Sequence, residues 1–194
     1  MKRVLVVVGT PGVGKSSVSS MLASRLSGIH VNLSGLVRKE SLSCGLDEKR
    51  GTLIVDLKEL SRRVSEIIQQ SVGYIIVDGH FAMDVIGVDD AFLAFVLRRN
   101  PDKLWEVLKE RGFKESKVAE NVAAEILDVC LFDAVKAYGE EKVCEVDVSD
   151  KTVEEVVDEI ICVVDGRRRC GVGVVDWLTK LELEGRLDEF LASF

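Results

Sequence analysis

Apolar positions recur along this chain with two different periods, and the alternation between them predicts the architecture. Residues 4–8 (Val-Leu-Val-Val-Val) form an unbroken, mostly β-branched run. That pattern suits a strand buried on both faces rather than one with a wet side. Past residue 16 the period changes, and Val18, Met21, Leu22 and Leu26 fall on one helical face. A short strand is expected at residues 29–31. Asp56 is placed to cap a helix whose apolar positions are Leu57, Leu60, Val64, Ile67 and Ile68. Residues 74–78 (Tyr-Ile-Ile-Val-Asp) and 91–97 (Ala-Phe-Leu-Ala-Phe-Val-Leu) read as further buried strands. Pro101 opens a helix through Leu104, Val107 and Leu108, at the first-turn position that proline favours. One long helical segment is expected over residues 116–137, and a last strand over 143–148. Thr152-Val153-Glu154-Glu155 is a capping box for a helix burying Val156, Val157, Ile160, Ile161 and Val164. Strands joined by helices of this length require a parallel sheet covered on both faces, so the expected class is α/β.

Composition narrows the picture without changing it. A chain of 194 residues with 47% apolar content is enough for one well-filled core. Its apolar runs are too short to span a membrane, and the start lacks a signal-peptide pattern, so the expectation is a cytoplasmic protein with no membrane association. With 26 basic and 33 acidic residues, the net charge of −7 argues against binding nucleic acid through the general surface and would suit a basic partner. Five cysteines (Cys44, Cys130, Cys144, Cys162 and Cys170) are odd in number and never spaced as CxxC. They are expected to be reduced thiols, and a zinc-bearing lid is excluded by the spacing. Composition breaks once, at Gly166-Arg167-Arg168-Arg169-Cys170-Gly171-Val172-Gly173. Residues 1–165 are therefore expected as the main domain, and 166–194 as a linker and amphipathic helical extension. Its Trp177, Leu181, Leu187 and Phe190 would pack back on the core or, alternatively, dock a partner.

The chemistry begins at residues 9–16, Gly-Thr-Pro-Gly-Val-Gly-Lys-Ser, a full match to GxxxxGK[ST] lying between a predicted strand and a predicted helix. Gly12 and Gly14 let backbone N–H groups close around phosphate oxygens at the positive end of the helix. Lys15 would reach the β and γ phosphates, and Ser16 would ligate Mg²⁺. The implied ligands are ATP and Mg²⁺. Asp78 ends a buried strand at the sheet edge where ligands collect, the place of a second Mg²⁺-holding carboxylate. His80, two residues on, is a candidate for orienting water or a phosphate oxygen. Arg38, Arg98, Arg99 and Arg111 are candidates for neutralising phosphates during transfer. An NKxD-type guanine-reading element is absent from the sequence, which puts a GTPase low, and the size suits a small kinase better than a motor ATPase.

Several of these segments together resemble one family. They are the phosphate loop, Val31-Asn32-Leu33 leading to Arg38-Lys39-Glu40, Asp47-Glu48, Val77-Asp78-Gly79-His80, Phe95-Val96-Leu97-Arg98, Leu108-Lys109-Glu110-Arg111-Gly112-Phe113, and Glu120-Asn121 with Ala124-Glu125-Ile126. The pattern is similar to the atypical adenylate kinase branch, the small-ribosomal-subunit maturation factors known in eukaryotes as coilin-interacting nuclear ATPases. Archaeal members are usually named "putative adenylate kinase". The resemblance implies a P-loop NTPase fold with an NMP-binding segment at about residues 32–55 and a short lid at about 110–120. It implies that Gly12, Gly14, Lys15, Ser16 and Ser17 hold the triphosphate and that Arg38 grips the NMP phosphate. Arg111 would be the lid arginine at the ATP, and Asp78 and His80 the pair linked to hydrolysis. AMP or another NMP would be the acceptor. Relatives show both NMP kinase and ATPase activity and bind a basic platform protein of the small ribosomal subunit late in its RNA processing. The alternative is a plain metabolic nucleotide kinase. Gly35 departs from the pattern, standing where many relatives carry an acidic residue.

Overall fold

A computed structural model describes residues 2–47 and 52–191. Five strands form one parallel sheet: β1 (Arg3–Val8), β2 (Ile29–Asn32), β5 (Tyr74–Asp78), β6 (Ala91–Arg98) and β7 (Val143–Asp147), in spatial order β2-β5-β1-β6-β7. The apolar run of β1 lies at the centre, with Leu5, Val6 and Val7 fully buried. Alternate residues feed two cores, as the two-residue period of a strand requires. Leu5 and Val7 pack with side chains of α1 (Lys15–Arg25), α5 (Pro101–Glu110), α6 (Glu115–Ile126) and α8 (Val153–Val164). Val4, Val6 and Val8 pack with α2 (Leu33–Glu40), α3 (Leu57–Gln70), α4 (Ala82–Val85) and α7 (Val129–Tyr138). β3 (Ser43–Asp47) and β4 (Thr52–Val55) make a separate antiparallel pair that the apolar pattern does not predict.

The predicted caps form. Asp56 accepts the Glu59 amide at 3.0 Å; Pro101 opens its helix as expected, and the Asn100 side chain, not anticipated, caps it. Thr152 and Glu155 exchange reciprocal bonds at the start of α8. Each replaces a hydrogen bond that the first helical turn cannot make internally.

Two expectations are corrected. The single helix expected over residues 116–137 breaks into α6 and α7 at Leu127 and Asp128, where Asp128 adopts the left-handed conformation (φ 56°). Periodicity could not reveal this, because the cause is tertiary: the Asp128 carboxylate turns into the protein to meet Arg98. The cysteines are not all reduced thiols either. Cys144, in β7, and Cys170 form a disulfide across 26 residues. Closing a loop of that size removes chain entropy from the unfolded state, worth about 3–4 kcal/mol. Without a CxxC spacing, nothing in the linear pattern marks the pair.

The disulfide ties the segment after α8 to the edge strand. Gly171 accepts from the Glu145 amide at 2.9 Å, and the Val174 amide donates to the Glu145 carboxylate at 2.6 Å. Beyond it, α9 (Trp177–Leu183) and α10 (Leu187–Leu191) bury Trp177, Leu181 and Phe190 in the same core as α5 and α6. Arg186 grips Asp102 on α5 through both terminal nitrogens, at 2.7 and 3.2 Å. The extension thus lies packed on the core.

Candidate active site

The loop after β1 carries its backbone in conformations that only glycine adopts freely. Gly12 and Gly14 have φ of 98° and 99°. A Cβ on Gly12 would sit 2.9 Å from Leu104, so the loop also packs closely on α5. Lys15 opens α1 and folds back, donating to the carbonyls of Gly9 (2.7 Å) and Thr10 (3.0 Å). Burial pulls its pKa below the ordinary lysine value, and nearby Arg111 adds to this, while Cys130, Asp78 and Glu125 oppose it. Its ammonium lies partly withdrawn from water in the cavity it shares with Ser16, Ser17 and Arg111.

Parallel pairing sets the neighbouring cluster. Asp78 ends β5 opposite Val7 of β1 and Asn32 of β2. It is 1% exposed and accepts from Ser16 Oγ at 2.7 Å, from His30 Nε2 at 2.7 Å and from Asn32 Nδ2 at 3.0 and 3.1 Å. Burial alone would raise its pKa, but the bonds from His30, Ser16 and Asn32 prevail and hold it below the ordinary aspartate value. Ser16 and Asp78 present adjacent hard oxygens, a donor set suited to Mg²⁺. Sequence reasoning missed His30 and Asn32. The two-residue period of β2 was the available signal, since it points positions 30 and 32 to one side.

The structure brings together only some of the predicted residues. Arg111, at the end of α5, lines a cavity of about 200 Å³ with Pro11, Gly12, Gly14, Lys15, Ser16 and Ser17. A second hollow of about 170 Å³ shares Gly12, Gly14, Ser17 and Arg111 and adds Arg99, Lys151 and Thr152. Arg98 points elsewhere. It is 1% exposed and paired with Glu125, Asp128 and Glu145, so it is not available to phosphates. Arg38 is exposed in the last turn of α2. His80 is exposed, packs edge-on against Phe81 at 5.5 Å, and lines a surface hollow with Met83, Asp84, Asp133 and Lys136. The histidine bonded to Asp78 is His30, not His80. Residues 48–51 of the expected acceptor segment, Glu48 among them, lie outside the described residues.

With lysine, serine, aspartate and arginine assembled around one glycine-rich loop, comparison with known proteins decides the family. Residues 5–128 match the family described as an AAA domain. A protein of Methanocaldococcus jannaschii named "Putative adenylate kinase" is 37% identical over 91% of this chain and 93% of its own. One of the same name from Thermococcus kodakarensis is 39% identical over 90% and 92%. This chain belongs to that archaeal adenylate kinase family. Among solved structures, a shikimate kinase from Acinetobacter baumannii superposes with a TM-score of 0.62 at 13% identity, covering 87% of this chain and 96% of that one. A gluconokinase from Sinorhizobium meliloti 1021 does so at 0.55 and 20%, covering 85% and 93%. At such identities they speak for the fold alone, a P-loop kinase sheet with flanking helices.

Proposed function

We propose that this member of the family is a nucleoside monophosphate kinase of adenylate kinase type, moving the γ-phosphoryl group of ATP to AMP. One observation carries the reading: Asn32. Its amide nitrogen binds Asp78 and Ser16, while its side-chain oxygen caps α2 by accepting the Gly35 amide at 2.7 Å. A single side chain therefore ties the helix bearing Arg38 to the phosphoryl-transfer centre, as an acceptor-binding element must be tied. Gly35 suits this cap, because a Cβ there would come 2.9 Å from the Asn32 oxygen.

Each residue then has a task. Lys15 exchanges its carbonyl contacts for β and γ phosphate oxygens, while Gly12, Gly14, Ser16 and Ser17 surround them. Arg111 approaches from the lid and offsets charge on the transferring group. Ser16 and Asp78 would hold Mg²⁺, which supplies further charge neutralisation on the phosphates. Arg38 would align the acceptor phosphate. Intrinsic ATPase activity, with His80 orienting water, belongs to the same proposal as a slower reaction when no acceptor is bound. So does binding of a basic small-subunit protein, which the net charge of −7 favours electrostatically.

The test is ADP formation from ATP and Mg²⁺ with a panel of NMPs, and with shikimate and gluconate as control acceptors. Turnover that rises with AMP and gives two ADP per ATP consumed is expected. Turnover indifferent to every NMP would replace the kinase reading with that of an ATPase.

A further inference from the structure

Beneath the phosphate loop lies a carboxylate that the reaction scheme does not use. Glu125, in the last turn of α6, is 1% exposed. A buried carboxylate is costly unless its lone pairs are engaged, and these are. One oxygen accepts from Arg98 Nε at 2.8 Å and from the Arg99 amide at 3.1 Å; the other accepts from Thr10 Oγ1 at 2.5 Å. The simple explanation is that Glu125 neutralises Arg98. That explanation is insufficient, because Asp128 and Glu145 also pair with Arg98. Three carboxylates face one guanidinium, so charge balance alone does not require the third.

What distinguishes Glu125 from the other two is where its remaining bonds go. Thr10 is the second residue of the phosphate loop, 1% exposed, and its carbonyl is one of the two that hold Lys15. Arg99 follows β6 directly and lines the same hollow as Arg111, Gly12 and Gly14. One rigid carboxylate thus sets the loop at one end and the Arg99 backbone at the other. Arg98 in turn holds the carboxylate, with its Nη2 donating to the Glu125 carbonyl at 2.9 Å. We infer that Glu125 is a positioning residue, which fixes the phosphate loop relative to the arginines across the hollow by holding Thr10 and the Arg99 amide together. This rests on the nucleotide-binding reading of the loop. A misplacement of about 1 Å in such a site costs up to a hundredfold, so a fixed spacing has catalytic value.

Removing Glu125 outright would strand the buried Thr10 hydroxyl and the Arg98 Nε together, so that variant would report on folding as much as on positioning. The decisive variants are therefore Thr10→Val, which keeps shape and loses the hydroxyl, and Thr10→Ser, which keeps the hydroxyl. For the full-length chain, three quantities are measured: ATP affinity by direct binding, kcat with AMP, and melting temperature. Thr10→Val should weaken ATP binding about tenfold and lower kcat as well, as loss of a hydrogen bond to a charged group does; Thr10→Ser should stay within about twofold of wild type. A role confined to stability would lower the melting temperature of Thr10→Val and leave its ATP affinity untouched, which would overturn the positioning role while the wild type still bound ATP. A wild type that bound no ATP would instead overturn the nucleotide reading and this inference with it.

Discussion

The proposed donor half of the site and the proposed acceptor half are built differently. Around the phosphate loop, Thr10, Asp78 and Glu125 are at most 1% exposed, and each is hydrogen-bonded to a partner from another element. On the acceptor side, α2 presents Arg38 to solvent, and the β3–β4 pair stands apart from the main sheet. Preorganised dipoles and charges lower a transition state because they need no rearrangement as charge moves. An acceptor must still enter and leave, which favours a surface that assembles around it. On the proposed reading, triphosphate binding would draw on the folded core, whereas acceptor choice would depend on a few exposed side chains. Substitutions on the two sides should therefore fail in different ways.

Lys15→Ala should have the largest effect. Arg111 lines the same cavity but from the end of α5, and it would not take the place of the Lys15 ammonium inside the loop, so both AMP-dependent transfer and hydrolysis should fall by about a hundredfold or more. The melting temperature should change little, since the lost contacts are two hydrogen bonds to loop carbonyls. Near-normal turnover would mean that the loop does not bind the reacting phosphates. Asp78→Asn should come next and again lower both reactions, by about tenfold to a hundredfold, with a shift to higher Mg²⁺ requirement. It keeps the shape of the side chain and removes the charge shared by Ser16, His30 and Asn32. Unequal losses in the two reactions would break the idea of a common donor half.

Arg38→Ala probes the other side. Its effect should be confined to the AMP-dependent reaction, as a rise of about tenfold in the KM for AMP with hydrolysis unchanged. Equal damage to both reactions would place Arg38 with the triphosphate and erase the contrast between halves. Arg111→Ala would sharpen the contrast, since an arginine lining the phosphate-loop cavity should matter whichever acceptor is used.

The same contrast governs what the sequence could reveal. The donor half was legible because its parts are local: an eight-residue motif, a buried apolar strand and a carboxylate at that strand's end. The five strands of the main sheet and two helix caps, at Asp56 and Thr152, were legible for the same reason, as each depends on residues within a few places of one another. What escaped depends on contacts between distant segments. Asp128 breaks a helix to reach Arg98, and Cys144 meets Cys170 only after α8 has turned the chain back. Arg98 reads as a phosphate-binding arginine by its place after a strand, yet two buried carboxylates, Glu125 and Glu145, and the partly exposed Asp128 hold it elsewhere. No window of sequence contains those partners together.

The two histidines give the smallest and most discriminating test. His30 lies in β2, 22% exposed by its side chain, and bonds Asp78 at 2.7 Å. His80 stands exposed on the loop after β5. Substituting His30 by Gln, which retains a hydrogen-bonding group, should lower both reactions by a few-fold at most, because Ser16 and Asn32 continue to hold Asp78. His80→Ala should leave AMP phosphorylation within about twofold, since AMP brings its own nucleophilic oxygen. If His80 orients water when the acceptor site is empty, hydrolysis should fall more than transfer, by about fivefold. Steady-state rates with and without AMP separate these cases. Equal rates in wild type and His80→Ala, in both assays, would remove His80 from the chemistry and leave His30 as the histidine of this site. A larger loss of AMP transfer than of hydrolysis would instead assign His80 to the acceptor half, with Arg38.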